Sequence, residues 1–411
     1  MDRYFINIVF SYKHHNYYNF CFKDLFLRHS IKTIIFHKKS LKNIDFKKIP
    51  KYLEFRKYFD FEDLKKQVKE IGKQNIFYIN TFDEKLVLEK NLLQKELGIE
   101  TTEKFEIFRN KDLQRKYLLE KYPETTVKYQ EIDLEKDEKI IMHFPCIIKP
   151  TSGVQSSGVT FLKSFEDFLA YKKNLKNLKK NLEARGYENE KFILEEFIDG
   201  EMYTINYFVD SNGKAFYIPI VKVNGIRDLG INDFSNYVRI SEEYFENEIN
   251  KKEVYDFVEK HIKTFGIKNT FVHHEFKLTS AGILKTIELN GRIGGYRLEL
   301  NREVYSFNMF DLIFGEKVNF KTDFYYAAFV FYSEKEGILK GFNKNLEEKF
   351  KSMKSFLSLN KMSSKLGKMT GLARNGYSSV ASMKIKNCNK ETFKKDFDFI
   401  VENYKNFLEL D

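Results

Sequence analysis

Two periodicities alternate along the first hundred residues. FINIVF (5–10) is short, almost wholly apolar and strand-like, whereas FCFKDLFLRHS (20–30) spaces its apolar residues as a helix does. KTIIF (32–36) predicts a second strand, DLKKQVKEIGK (63–73) an amphipathic helix, NIFYIN (75–80) a strand and EKLVLEKNLLQKELGI (84–99) a helix. Strands alternating with helices predict a parallel sheet. The segment after the first strand, SYKHHNYYN, has no glycine, which argues against a Gly-rich dinucleotide turn there.

Further along, NKDLQRKYLLEK (110–121) predicts a helix, followed by strands at TVKYQEI (126–132), PCIIKP (145–150) and VTFLKS (159–164). Residues 165–185 read as one lysine-studded helix with a solvated face. KFILEEFI (191–198), MYTINYFVD (202–210) and AFYIPIVKVNG (215–225) are each expected to be a strand, and 252–264 a helix. TFVHHEFKL (270–278) and GILKTIELNG (282–291) predict a hairpin turning at TSAG. From about 321 come YYAAFVFY (325–332), several Gly turns, YSSVASMKIKN (377–387) and a final helix.

Composition narrows this picture. A length of 411 residues suits two to three domains, or one enzyme built of several subdomains. With 42 Phe, 25 Tyr and no Trp, phenyl and phenol rings must do the bulky packing. The net charge of +11 is compatible with a polyanionic partner, but the lysines are spread along the chain. Solvated helix faces explain them more simply than a nucleic-acid footprint, so no nucleic-acid partner is expected. Cys21, Cys146 and Cys388 match no metal or redox spacing. The apolar run in MDRYFINIVFSYKHH is too short for a signal peptide, and no stretch approaches the ~18 apolar residues of a membrane span. Reduced thiols in a cytoplasmic protein without a membrane partner are the expectation.

Candidate chemistry lies in three places. In TIELNGRIGG (286–295), strand alternation puts Glu288, Asn290 and Arg292 on one face, with Ile287, Leu289 and Ile293 on the other. Two oxygen ligands suit a hard cation such as Mg²⁺, and the arginine beside them suits a phosphate or carboxylate. On the partner strand His273, Glu275 and Lys277 share a face, and a short hairpin can bring Glu275 against Glu288. Bare, the two carboxylates repel; a divalent ion removes that repulsion. An exposed hairpin with scattered acids is the plainer alternative. The second place is PCIIKPTSGVQSSGV (145–159), where a strand delivers Lys149 to a Gly/Ser loop whose N–H groups can cradle phosphate. The lysine precedes the loop, so this is not a P-loop. The third is FILEEFIDGEMYTINYFV (192–209), a strand running into acids and turning at Asp199-Gly200.

Taken in order, strand–Lys–Gly-rich loop, then EExI–G, then Glu, thirteen residues and E-x-N, the chain resembles the ATP-grasp superfamily over roughly residues 105–320. The resemblance implies an α/β fold of the α+β grasp kind. A parallel α/β domain (1–105) would precede a two-lobed core (106–194 smaller, 195–320 larger), with a C-terminal lobe at 321–411. It implies that Lys111 and Lys149 contact ATP phosphates and that a loop from Ser152 to Gly158, with Gly153, Ser156 and Ser157, covers them. Glu195, Glu196, Phe197 and Ile198 would line the adenine pocket. Glu275, Glu288 and Asn290 would hold Mg²⁺, usually two ions, with Mn²⁺ as a substitute. Arg292 would steady the transferred phosphoryl group, and Lys222 would be a further phosphate contact. D-alanine–D-alanine ligase and similar proteins carry a ribose-binding Glu two positions after the hinge glycine. That position here is Met202, so either Glu201 takes over or ribose is held differently.

ELNGRIGG further resembles the E-x-N-x-R-x-G-G signature of carboxylate–amine ligases, dipeptide-forming L-amino-acid ligases and carnosine synthase among them. His273 as a catalytic residue fits that group. Gly294 and Gly295 would let the chain approach the substrate, and Arg297 would meet a substrate carboxylate or form a surface salt bridge. The implied reaction activates a small carboxylate with ATP, passes through an acyl-phosphate and ends in an amide or peptide bond, with ADP and phosphate released. A grasp-fold kinase without ligation is the alternative activity, and a non-catalytic basic nucleic-acid-binding protein the alternative class. A homodimer is common among proteins of this kind.

Overall fold

The computed structural model describes residues 3–11, 15–39, 49–136, 138–152, 158–183, 191–245, 247–316 and 318–411. The expected strand–helix alternation opens the chain: β1 (Arg3–Val9), α1 (His15–His29), β2 (Ile31–His37), β3 (Leu53–Lys57), α2 (Phe61–Ile71), β4 (Ile76–Thr81) and α3 (Val87–Glu96). The four strands are parallel, in the order β3-β2-β1-β4. Because β1 is central and covered on both faces, Phe5, Ile6 and Ile8 are all fully buried, so the strand reads as a continuous apolar run. The α2 helix starts where Asp60 accepts a hydrogen bond from Asp63 N, and it stops at Gly72 with φ 83°. β3 was not anticipated; LEFRK has only one fully buried position.

The next segment builds a small antiparallel lobe. Helix α4 (Lys111–Lys121) leads into β5 (Tyr129–Ile132), β6 (Cys146–Pro150), β7 (Thr160–Leu162), α5 (Phe165–Lys173), α6 (Leu175–Glu183) and β8 (Phe192–Glu196), with sheet order β5-β8-β6-β7. The single helix expected over 165–185 is two helices. They break at Asn174, whose side-chain oxygen accepts from Asn177 and whose N–H turns back to Tyr171 O. A short polar side chain there competes with the helical ladder.

A large antiparallel sheet follows: β9 (Glu201–Val209), β10 (Ala215–Tyr217), β11 (Val221–Gly225), β12 (Asn236–Ser241), helix α7 (Lys251–Phe265), β13 (Thr270–Leu278), β14 (Leu284–Asn290), helix α8 (Arg297–Tyr305) and β15 (Tyr325–Phe331). The strand expected over 215–225 is two, β10 and β11, separated by a segment containing Pro219, which has no N–H to give a ladder. After β16 (Gly337–Phe342), α9 (Lys344–Ser352), β17 (Phe356–Lys361), β18 (Met369–Thr370), β19 (Ala381–Asn387), α10 (Lys390–Glu402) and β20 (Leu408–Leu410) complete the chain. The large sheet is ordered β14-β13-β9-β11-β12-β15-β19-β17, so strands from the last ninety residues extend the sheet that carries the hairpin.

Alternation divides the large sheet into two working faces. Tyr203, Ile205 and Tyr207 of β9, with Val272 and Phe276 of β13 and Leu289 of β14, pack on Val254, Phe257, Val258, Ile262 and Phe265 of α7. The opposite face is left for side chains of other chemistry. The N-terminal sheet is locked to this body through Phe5 and Phe310, with ring centroids 4.6 Å apart, and through Arg28 and Asp311 at 2.5 Å. Among the described residues no helix is long and apolar enough to cross a membrane. Cys21 and Cys146 are buried free thiols, and Cys388 is exposed and free.

Candidate active site

The polar face of the large sheet forms the floor of a cleft of about 580 Å³, roofed by the small lobe and closed at one end by the turn after β4, where Phe82, Asp83 and Glu84 line it. The hairpin forms around TSAG, and its register sets Glu275 opposite Glu288 and His273 opposite Asn290. The register shifts between Glu275 and Phe276, whose partner is Thr286, leaving Ile287 unpaired in a β-bulge. Ile287 consequently lines the cleft beside Glu288, whereas Leu289 and Ile293 pack in cores as expected. β14 ends at Asn290, so Arg292 reaches the cleft from the loop beyond it and not by strand alternation.

Each cation at the nucleotide end has an internal carboxylate partner. Lys111 stands at the start of α4, whose first N–H bonds Thr151 O at the end of β6, and its ammonium is 2.9 Å from Glu288. Lys149 is 2.7 Å from Glu195, which also accepts from Arg115 Nε at 2.8 Å. Arg292 is 2.5 Å from Glu84, brought in by the turn after β4. Burial pulls Lys149 down to about 8; Glu195 opposes this, while Arg115 and Lys111 add like charge. Burial works to raise Glu195, but two cations hold its carboxyl below the usual range. The asymmetry follows from the count: the acid has two partners, the lysine one. Burial lifts Glu84 above the usual range, with Arg292 pulling down and Glu288 pushing up.

His273 is buried and its Nε2 lies 3.1 Å from Glu275 Oε1; burial lowers its pKa although Glu275 opposes. Its other ring nitrogen has no hydrogen-bond partner and lies against Gly294. A Cβ at Gly294 would fall 2.4 Å from His273 Nδ1. Gly294 therefore makes room for the imidazole and does not face the substrate space, whereas Gly295 lines the cleft with nothing within 4 Å of its missing Cβ.

Glu196, Phe197, Ile198 and Met202 line the cleft. Glu201 and Lys222 do not: each is one residue out of phase with a cleft-facing neighbour, Met202 and Val223. On the other face their charged ends lie 3.2 Å apart, and the Lys222 ammonium also pairs with Glu248 at 2.5 Å. This placement corrects both as phosphate and ribose contacts. Ser152 is buried at the end of β6, and Gly158 (φ 75°) accepts from Tyr171 OH; neither lines the cleft. Gly153, Ser156 and Ser157 lie outside the described residues. Arg297 is 2% exposed and forms no ion pair among the described residues, which removes the surface-salt-bridge alternative.

Sequence reasoning missed Glu84, Arg115 and Arg239. Arg115 had a signal, four residues after Lys111 on one helix face. Glu84 had none, because a turn of the N-terminal segment meets Arg292 only through packing.

With this geometry in view, residues 142–299 match the family model of the ATP-grasp domain. Three solved structures share its fold over at least nine-tenths of their length. L-amino acid ligase from Bacillus licheniformis is 16% identical with a TM-score of 0.70, covering 100% of this chain and 99% of that one. N5-carboxyaminoimidazole ribonucleotide synthetase from Thermotoga maritima is 15% identical with a TM-score of 0.64, covering 99% of each. The biotin carboxylase domain of the Hydrogenobacter thermophilus 2-oxoglutarate carboxylase, solved with MgADP and bicarbonate, is 14% identical with a TM-score of 0.62, covering 100% and 91%. No curated protein sequence matches the chain.

Proposed function

We propose that this protein is an ADP-forming carboxylate–amine ligase that uses ATP to join a small carboxylate, such as an amino acid, to an amine. The observation that carries the reading is the Glu275–Glu288 register pair beside the buried Asn290, lining the same cleft as Lys111 and Lys149, within an ATP-grasp domain. The Asn290 amide oxygen is buried without a hydrogen-bond partner, as an oxygen awaiting a cation would be. Among the described residues no three His, Cys, Asp or Glu side chains converge to hold an ion alone. Two carboxylates and an amide oxygen, completed by ligand oxygens, fit Mg²⁺, with Mn²⁺ as a substitute. When bound, the metal offsets negative charge on the transferring phosphoryl group.

The chain's own groups do the rest. Lys111 and Lys149 hold the phosphates, and the backbone of Glu196 to Ile198 faces the base. Arg292 steadies the phosphoryl group and His273 orients Glu275. A substrate carboxylate oxygen attacks the γ-phosphorus, the bond to the β–γ bridging oxygen breaks, and ADP leaves with the electron pair. The amine then attacks the acyl carbon, the acyl–oxygen bond breaks, and phosphate leaves as the amine loses a proton. Positioning and fixed charge supply the catalysis.

The test is ADP release from Mg-ATP across a grid of carboxylates against amines, with mass spectrometry of products. ADP only when both partners are present, with a product of their summed mass less water, is expected. ADP with one partner, and phosphate added to it, makes the protein a grasp-fold kinase.

A further inference from the structure

One part of the cleft carries two arginines that no carboxylate among the described residues approaches to ion-pair distance, Glu275 acting on both only from farther off. Arg297, at the start of α8, is 2% exposed. Its Nη2 donates to Thr204 Oγ1 at 2.5 Å, while Nε and Nη1 are buried without a hydrogen-bond partner. Arg239 reaches the same cleft from β12 with its guanidinium 5.1 Å from the centre of the Tyr296 ring, and its Nη1 donates to Asn236 O at 3.4 Å. Among the described residues neither arginine has a carboxylate within ion-pair distance. This contrasts with Lys111, Lys149 and Arg292, each of which has one.

Burying an unpaired guanidinium is costly, and a second positive group nearby makes it more so. Burial pulls Arg297 down to about 9, with Arg239 adding to the fall and Glu275 opposing it. Glu275 is itself engaged by His273. A neutral or apolar side chain would satisfy the fold better at Arg297. A buried guanidinium without a carboxylate partner, with the half-buried Arg239 beside it at the wall of a cleft, is explained by an anion that arrives from outside.

The sheet register locates that anion. Glu288, Glu275 and Thr204 lie opposite one another on the consecutive strands β14, β13 and β9. Thr204, which holds Arg297, is thus one strand spacing, about 5 Å, from Glu275 and two from Glu288. A group bound at the arginines lies a few carbon–carbon bonds from the carboxylate pair, on the side away from Lys111. The cleft of about 580 Å³ must also hold the nucleotide, so the anion belongs to a compact molecule.

We propose that Arg239 and Arg297, with Thr204 and Tyr296, form a subsite for a substrate carboxylate that is not activated in the reaction. The enzyme then takes either a dicarboxylic acid as acyl donor or an amino acid whose own carboxylate stays free as the amine. That this carboxylate stays unactivated rests on the ligase reading; the anion subsite itself does not.

Matched acid and amide pairs test it on the whole protein, by calorimetry with Mg²⁺ and a non-hydrolysable ATP analogue. Succinate against succinamate probes the acyl donor, and L-alanine against L-alaninamide the amine. In at least one arm the wild type binds the free acid ~10-fold or more tightly than its amide, the scale of a charge-assisted hydrogen bond. Arg239→Gln and Arg297→Gln each reduce that preference to about threefold or less, Arg297→Lys retains part of it, and affinity for the ATP analogue changes little. The arm that responds identifies which substrate carries the free carboxylate. No preference in either arm, no binding at ~10 mM, a preference that survives both substitutions, or tighter binding of inorganic phosphate overturns the subsite. If the ATP analogue does not bind but the acid preference is present, the ligase reading fails and the subsite stands. Arg297→Met adds a structural readout: the ligand-free protein melts at the wild-type temperature or above it, whereas an arginine kept for stability would leave it lower.

Discussion

Gly294→Ala places a methyl group where the His273 ring stands. The new Cβ would lie 2.4 Å from His273 Nδ1, 2.6 Å from Cε1 and 2.8 Å from Cγ, all far inside contact distance. Gly294 has no left-handed φ, so the effect is steric and not conformational. The imidazole cannot retreat, because β13 is paired on both sides by β9 and β14 and His273 is 6% exposed. It must rotate, and the 3.1 Å contact with Glu275 is lost. Overpacking of this kind costs ~1–3 kcal/mol, and the lost contact to a charged group raises the expectation to about 2–3 kcal/mol in all. Gly295→Ala is the matched control. Its Cβ meets nothing, so its cost is expected within about 0.5 kcal/mol. Urea unfolding near neutral pH measures both, and ADP release measures whether a displaced His273 also misplaces Glu275. A double-mutant cycle isolates the cause: in a His273→Ala background, Gly294→Ala is expected to cost about 0.5 kcal/mol or less. Equal stability of the two single alanine variants, or an unchanged cost in the His273→Ala background, refutes the reasoning.

Three further outcomes are expected. Glu288→Gln removes ADP formation while circular dichroism and the urea midpoint show a folded protein; full activity would sink the metal assignment. Arg115→Met leaves the buried Glu195 with Lys149 alone and costs about 3 kcal/mol in urea unfolding, the scale for removing one member of a buried charged set; a change under about 0.5 kcal/mol means the arginine does not hold the pair. Burial pulls His261 down to about 4, and its ring nitrogens lie 2.8 Å from Phe257 O and 2.6 Å from Thr286 Oγ1. Burial keeps the ring neutral, and since the carbonyl can only accept, its one N–H is at Nδ1 and Nε2 accepts from Thr286. The unfolded chain takes up this proton first, so the contribution is intact above about pH 6.5 and is lost as pH falls toward 4, amounting to about 2 kcal/mol between pH 7 and pH 5. His261→Gln should flatten the stability–pH curve by that amount, and an unchanged slope contradicts the burial argument.

Much of the cleft was legible because strand alternation is local. His273, Glu275 and Lys277 had to share a face once 270–278 was a strand, and the thirteen-residue spacing with a TSAG turn set Glu275 against Glu288. The same rule, applied with the phase of its neighbours, would have turned Glu201 and Lys222 away from the cleft, since Met202 and Val223 face it. Chain breaks were harder to place. Asn174 splits an expected helix and Pro219 lies where an expected strand divides, each a single residue inside a segment whose average pattern is regular.

The amino-acid sequence alone determined the strand–helix alternation of the N-terminal segment apart from β3, the hairpin with its two carboxylates and the delivery of Lys149 toward a glycine–serine segment, because each depends on neighbours within about a dozen residues. Only the tertiary structure decided that Glu84 would hold Arg292, that Arg115 would share Glu195 with Lys149, that Gly294 would make room for an imidazole, and that Arg239 and Arg297 would line one cleft with no ion-paired acid among the described residues. Those pairings join residues from 21 to more than 200 positions apart, and the packing of sheets, not any local period, sets the distance between them.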